Sequence, residues 1–512
     1  MVVAVYLICF VVISVWLWVR SRRLMPPVVP GALPLIGHMH RFLGLESIWN
    51  TIEETSKFSL ENGGISILKI CEHNVYMLTD PDLSLMAFNI SLNKMFLYHF
   101  TKDLMGNGLV TSDAQTWKIH RKLINPAFNQ QVLNSFINEM NVQSKWLVSE
   151  LSTKLGKSVN VRKPLIKFTM NITSRISLGL NAEDQTLIDK DYAHAFEVLS
   201  VIYYERGTKP WLHVPFIFNR SALKRKQDKL TETLTNILNP FKPLLNHLLY
   251  LADEQNAFSD TEIREHLNTF VIAAYDTSTV SLTLLLMMIG WHKGVQERVY
   301  NEIQEVLNNE DRDFTKNDLP KLVYLEAVIK ETLRCYPTIP IIGRQVDVDM
   351  KLGKYTIPAG SSCGVSLHGI HRHPMWGPDA DQFNPDRWLD PGRLPNLANA
   401  FVAFGVGKRY CIGKSFSHLN ILPKWLQVRL QGASGSIPGS DEVLLDFFRL
   451  FENVLVVARS LEMCPVYGNR LTAHNIRDVQ YRIFEFLSVS LSIHVSGLNS
   501  KIIAWIYFKG DG

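Results

Sequence analysis

Cys411 stands in the run Phe404-Gly-Val-Gly-Lys-Arg-Tyr-Cys-Ile-Gly413, with Gly405, Gly407 and Gly413 around it and Lys408 and Arg409 just before it. Glycines permit a tight turn and a close backbone approach, and the basic residues favour thiolate over thiol. Lys414–Asn420 can continue as helix, so the thiol sits at or near a helix N-terminus. A metal-bound thiolate, a reactive nucleophile and a plain structural cysteine all fit these residues alone. A phosphate-binding loop does not. Gly407 lies one residue too far from Gly413-Lys-Ser415, and Lys408 holds the position that the motif reserves for glycine.

A second candidate lies in the helical stretch that begins near Asp260. Phe270, Ala273, Ala274 and Thr277 recur at steps that share one helix face. Two alanines leave room beside a flat partner, and Asp276-Thr277 puts an acid next to a hydroxyl. The same dipeptide also suits a solvated turn or a threonine bonded back to its own helix. Trp117 and Arg121 are an i, i+4 pair, and Glu331 and Arg334 an i, i+3 pair. His368, His371 and His373 fall in a strand-to-coil region without a second ligand cluster, which predicts a structural or solvated role.

The elements that must position these residues are mainly helical up to about Lys330. Periodic apolar steps predict helices over Gln115–Ile124, Val132–Leu155, Gln227–Leu238 and Asp260–Met288. Strands are predicted at Ile65–Ile70, Val75–Leu78, Met350–Thr356 and Ser362–Leu367. From Pro337 to Phe404 the chain, dense in Pro, Gly, Asp and His, reads as strands and coil. The fold class is therefore mainly α with small β-sheets (α+β), in one large unit.

Composition agrees. The chain has 512 residues, 46% hydrophobic and 20% charged, which excludes a disordered or fibrous protein. A net charge of +5 is too small and too dispersed for a nucleic-acid binder. The six cysteines include no C-x-x-C pair, which argues against a disulfide scaffold and a zinc ribbon.

Val2–Val19 is uncharged, ends in Trp16, Leu17 and Trp18, and is closed by Arg20, Arg22 and Arg23. That pattern predicts a transmembrane helix within 1–23 that leaves the rest of the chain in the cytosol. Pro26, Pro27, Pro30 and Pro34 make 24–38 a stiff hinge. The apolar cluster Trp211, Val214, Pro215, Phe216, Ile217 and Phe218 suits either contact with a bilayer surface or loop packing.

Taken in order, four of these segments resemble the haem-thiolate monooxygenases, the cytochrome P450 family. Phe404, Gly407, Arg409, Cys411 and Gly413 fill its F-x-x-G-x-R-x-C-x-G signature, and Glu331-Thr-Leu-Arg334 its E-x-x-R helix. Phe383-Asn-Pro-Asp-Arg387-Trp388 is similar to its F-x-P-x-R-F segment, and Trp117-Lys-Ile-His-Arg121 to its W-x-x-x-R helix. The flavour is that of the microsomal, insect-type family 4 clan.

The resemblance implies the cytochrome P450 fold with an N-terminal transmembrane helix, and haem b with Cys411 as its axial thiolate. Trp117, Arg121, Arg344 and Arg409 would meet the haem propionates, with Phe404 beside the haem. Glu331, Arg334 and Arg387 would form a buried charge network for folding and haem retention. Thr277 and Asp276 would deliver protons during oxygen activation. The implied activity inserts one atom of O2 into an apolar substrate, a fatty acid, hormone or xenobiotic. Electrons would come from NADPH through a P450 reductase, with cytochrome b5 as a further donor, at the endoplasmic reticulum membrane. No nucleic-acid partner is implied.

Three departures matter. Ala274 replaces the usual glycine and Tyr275 a polar residue. Ala273 stands where clan members carry a glutamate able to bond the haem, so the haem is expected without that ester. Pro423 interrupts the helix after Cys411, and 421–512 is an atypical tail that fits an unspliced intron, a shifted frame or a genuine divergent C-terminus. The resulting division is 1–23 anchor, 24–38 hinge, 39–420 catalytic domain and 421–512 tail. One rival reading is a catalytically inactive haem-binding relic. A haem isomerase or dehydratase is a second, against which the Asp276-Thr277 pair argues.

Overall fold

The structure, a computed structural model, describes residues 24–43, 45–153, 161–178, 192–238, 257–310 and 312–421. The expected anchor at 1–23 and the tail beyond residue 421 lie outside the described residues.

An N-terminal sheet unit comes first: α1 (Leu45–Glu61), β1 (Ile65–Ile70), β2 (His73–Leu78) and α2 (Pro81–Ile90). Then follow α3 (Ala114–Ile124), α4 (Gln130–Ser135), α5 (Ile137–Ser152), α6 (Arg162–Leu178) and α7 (Ala193–Thr208). Next are α8 (Pro215–Arg220), α9 (Ala222–Leu238), α10 (Asp260–Trp291), α11 (Lys293–Val306) and α12 (Val323–Cys335). The chain then adds β3 (Ile341–Gln345), β4 (Met350–Leu352), β5 (Tyr355–Ile357), β6 (Ser362–Ser366) and α13 (Lys414–Ile421).

Side-chain caps start the helices nearest the site. Asp80 accepts from Leu83 N–H, with Pro81 preset for the first turn of α2. Asp113 accepts from Gln115 and Thr116 N–H at the start of α3. Ser259 and Glu262 form a reciprocal capping box on α10, with Glu262 N–H donating to Ser259 Oγ at 3.3 Å and Ser259 N–H to Glu262 Oε2 at 2.9 Å. At 32 residues α10 is about 48 Å long. Leu282, Leu284, Leu285, Leu286 and Ile289 are all buried, so its second half has no solvent face. Among the described residues it is the one helix long and apolar enough to cross a membrane, and most of that stretch is buried inside the body.

One core packs α5, α6, α11 and α12 against the C-terminal half of α10 through Leu147, Phe168, Leu285, Ile303 and Val328. A second surrounds its N-terminal half, where Trp117, Leu199, Phe270 and Val271 meet. A third lies against a sheet of order β1-β2-β6-β3, antiparallel except for β2 beside β6.

The structure corrects three element boundaries. The helix expected over Val132–Leu155 is two, α4 and α5, broken at Phe136. There Phe136 N–H turns to Leu133 O at 3.1 Å, and Ser135 Oγ donates to Val132 O at 2.7 Å in competition with the backbone. The strand expected over Met350–Thr356 is the hairpin β4–β5, because Gly353 takes φ +56° and turns the chain. Finally, α9 starts at Ala222, ahead of the expected Gln227.

Candidate active site

The loop before α13 is closed by Cys411 N–H donating to Phe404 O at 2.8 Å and Tyr410 N–H to Gly407 O at 3.2 Å. Gly407 has φ +72°, and a Cβ there would lie 2.8 Å from the backbone carbonyl of Phe88. Only glycine lets the loop press onto α2 in this way. Cys411 is thereby carried to the wall of a cavity of about 680 Å3 that Phe404, Gly405, Arg409, Ile412 and Gly413 also line.

The facing wall is α10. Phe270, Ala273, Ala274 and Thr277 all line the cavity, and Ala273 is exposed to it in the middle of a buried helix. The helical spacing thus delivers the expected face. Thr277 Oγ1 donates to Ala273 O at 2.6 Å, which leaves its lone pairs as acceptors toward the cavity. Asp276 is not in the lining. One residue along a helix turns by about 100°, and Asp276 turns toward Arg162 and Glu197, themselves paired at 2.7 Å. Burial raises its carboxyl pKa, opposed by Arg162 and reinforced by Glu197.

Cys411 keeps accessible surface toward the cavity, yet packed protein surrounds it. Burial pushes its thiol pKa up, against the Gly413 N–H bond and the Arg121 charge. Arg121 acts in the direction expected of a nearby cation, burial acts against it, and a bound metal ion would favour the deprotonated sulfur.

Cations crowd one side of the cavity. Arg344, on β3, is buried with its guanidinium carbon 4.5 Å from the centre of the Phe88 ring, and its Nε has no partner. Arg409 reaches Leu92 O at 2.7 Å and Ser112 O at 2.9 Å, and its Nε is likewise unpartnered. Trp117 and Arg121 are in a layer behind the lining. Trp117 lies under Arg409, 5.0 Å from guanidinium to ring, and Arg121 donates to Tyr410 O at 2.9 Å. Both brace the Cys411 loop.

Sequence reasoning missed two groups here. Lys94 and Tyr98 line the cavity, and Ser281 and Thr338, bonded through their hydroxyls at 2.8 Å, line it near Thr277. No motif marks them. Ser281 and Thr277 are i, i+4 on α10, the one signal that was available.

Glu331, Arg334 and Arg387 do come together. Arg334 grips Glu331 with two bonds of 2.8 Å, and Arg387 Nε reaches Glu331 Oε1 at 2.9 Å, all three fully buried. Trp388 Nε1 and Asn384 N–H complete the carboxylate's shell at 2.9 Å each. The expected structural part of the histidines is also seen: His371 Nε2 accepts from Val402 N–H at 3.0 Å, His373 Nδ1 from Met375 N–H at 3.2 Å, and His368 stands edge-on to Trp49.

A cysteine-walled, apolar slot with unmatched cations at one side fits a flat dianionic metal cofactor such as haem. The orphaned Nε atoms of Arg344 and Arg409 suit its two carboxylates, and the sulfur suits its iron. Fold and site define a haem-thiolate oxidoreductase. A family model described as Cytochrome P450 matches residues 26–422, and this chain belongs to that family. It is a haem monooxygenase. Cytochrome P450 4c21 of Blattella germanica is 32% identical over 438 residues, spanning 78% of this chain and 86% of its own length. Cytochrome P450 4V2 of Homo sapiens is 27% identical, spanning 78% and 82%. Probable cytochrome P450 4s3 of Drosophila melanogaster is 28% identical, spanning 79% and 88%.

Proposed function

We propose that this chain is a membrane-anchored monooxygenase that places one atom of O2 into an apolar organic substrate, with Cys411 as the residue whose sulfur would hold the haem iron. The observation that carries the reading is Cys411 facing Ala273, Ala274 and Thr277 across an apolar cavity flanked by unpaired cations. Haem held by a thiolate supplies O2 activation when bound. The protein's own residues then do three things: Arg344 and Arg409 hold the carboxylates, Thr277 accepts and passes a proton, and the apolar lining excludes water from the substrate. Phe404, in the cavity lining, would pack against the haem, Trp117 and Arg121 hold Arg409 and the Cys411 loop in place, and the Glu331–Arg334–Arg387 network fixes the fold around them. A fatty acid, hormone or xenobiotic suits the lining. Electrons come from an NADPH-dependent reductase, with cytochrome b5 as a further donor.

The test is the carbon monoxide difference spectrum of the reduced full-length chain in membranes. A thiolate-type Soret band is expected, and its absence from well-expressed protein would sink the reading. Thr277→Ala is expected to keep the haem and to lower product formed per NADPH severalfold, with hydrogen peroxide rising in its place. Unchanged coupling would remove Thr277 from proton delivery. Asp276 acts at one remove, because its carboxyl faces Arg162 and Glu197. Ala273 offers no carboxylate for an ester, so acidified organic solvent should extract all the haem; haem left on the protein would overturn that reading.

The division into anchor (1–23), hinge (24–38), catalytic domain (39–420) and tail (421–512) belongs to the same proposal, with the endoplasmic reticulum as its membrane. Exposed Leu24, Leu33 and Leu35 in the hinge, and exposed Trp211, Val214, Phe216 and Ile217, support it. A line of contacts joins the two patches. Gly37 bridges Ile70, Ile70 pairs with His73, His73 stacks on Phe96 at 4.4 Å, and Phe96 lies 6.3 Å from His213.

A further inference from the structure

Trp117, His120 and Ile124 form the buried face of α3, and Trp117 with Arg121 braces the Cys411 loop. A polar contact to α10 holds α3 in turn. His120 Nδ1 and His266 Nε2 lie 3.0 Å apart, with both rings buried. Glu262 Oε1 stands 3.7 Å from His120 Nε2, while its Oε2 is held by the Ser259 cap. Among the described residues these are the polar contacts between the side chains of α3 and α10. Phe258 packs edge-on against both imidazoles, with ring centres 4.9 and 5.4 Å apart. His266 also stacks on Phe270, which lines the cavity.

The partners decide where the protons sit. Two neutral imidazoles share a bond only if one nitrogen donates and the other accepts. The carboxylate favours a proton on His120 Nε2, so His120 Nδ1 accepts and His266 Nε2 donates. His266 Nδ1 is then a bare lone pair, and it is buried without a partner. A further proton has no place in the pair. On His120 Nδ1 it would face the His266 N–H, and on His266 Nδ1 it would be buried without an acceptor.

We propose that His266 is a positioning residue for the haem ligand loop: through its bond to His120 it holds α3, and with it Trp117 and Arg121, behind Cys411. The inference rests on the haem reading above, and neither histidine is a signature position.

A pair that only filled space would be indifferent to pH, and this one is not. Burial holds both histidines below their ordinary range, His266 at about 3, against the charge of Glu262. Asp113, at the start of α3, also faces His120, and the charged neighbours of His266 are His120 and Glu262. A histidine kept neutral by the fold contributes stability above its ordinary pKa of about 6.5 and loses it as pH falls toward the folded value.

The experiment takes the full chain in membranes as wild type, His266→Gln and His266→Leu. It follows the reduced carbon monoxide complex from about pH 5 to about pH 8. The reading is the rate at which the thiolate-type Soret band gives way to the band of a displaced ligand. Glutamine keeps an N–H for His120 but takes no proton. His266→Gln should match wild type at about pH 7.5 and convert about tenfold more slowly than wild type near pH 5. His266→Leu should convert about tenfold faster already at about pH 7.5, because His120 loses its donor inside the body. Protonation of the Cys411 sulfur is common to all three, so the differences between them carry the result. If His266→Gln converts with wild type through the acid range, or folded His266→Leu converts no faster at neutral pH, His266 does not position the loop. If His266→Leu does not accumulate, the acid limb of His266→Gln decides alone. If wild type lacks the thiolate band at neutral pH, the haem reading falls and this inference with it.

Discussion

Cys411→Ala is expected to abolish the thiolate-type Soret band of the reduced carbon monoxide complex and to reduce monooxygenase turnover to background. The substitution is clean because the loop does not depend on the sulfur. Its shape comes from Cys411 N–H on Phe404 O and from Gly407 against Phe88, and alanine leaves both intact. The apolar walls and the clamp of Arg344 and Arg409 also survive, so some haem should still bind, with the spectrum of a different axial ligand. A variant that keeps the thiolate band would assign the ligand to another cysteine. The other described candidates are poorly suited. Cys335 and Cys363 are buried away from the lining, with thiols pushed up to about 12 by burial, and Cys71 is on the β1–β2 turn.

Glu331→Ala should be the most destabilising single change outside the cavity. It leaves the guanidiniums of Arg334 and Arg387 fully buried without their shared carboxylate. Breaking such a network costs about 3–5 kcal/mol, a large part of the ~5–15 kcal/mol that holds a typical domain together. Denaturant unfolding of the haem-loaded protein is the measurement. The midpoint should fall sharply, or the variant should accumulate without haem. An unchanged midpoint would mean that the backbone carbonyls around the arginines suffice. The same carboxylate predicts acid lability. Burial raises its pKa, but Arg334 outweighs burial together with Asn384 N–H and Arg387, and the net shift is downward. A depressed carboxylate contributes stability above its ordinary pKa and loses it as pH falls through the folded value. Acid unfolding should therefore set in below the ordinary carboxylate range, and Glu331→Gln should flatten that limb.

Local chemistry explains what could be read without the structure. The Cys411 loop was legible because its glycines and its cysteine are neighbours in sequence, and the cavity face of α10 because helical periodicity is local. Asp276 shows the limit of motif reasoning. Its adjacency to Thr277 suggested a joint role, yet adjacency on a helix turns the two side chains to different neighbours. The break at Phe136 depends on one hydroxyl choosing a carbonyl. Lys94 was invisible for a different reason: one bridge brings it to Arg344 across 249 intervening positions, and no short pattern encodes that.

Those long-range ties also set when the site can exist. Arg409 closes on Leu92 from 317 residues further along the chain, and Gly407 presses on Phe88 from a similar distance. At a synthesis rate of about 5–20 residues per second, the N-terminal half of the pocket waits roughly 15–60 s for its ligand loop. Cofactor capture is then a late event in biogenesis, after most of the body is made. Late in that interval, once Phe270–Ser281 and Arg344 are made, the nascent chain carries an apolar wall that still lacks its ligand loop, the surface a chaperone or a misfolded neighbour would find first.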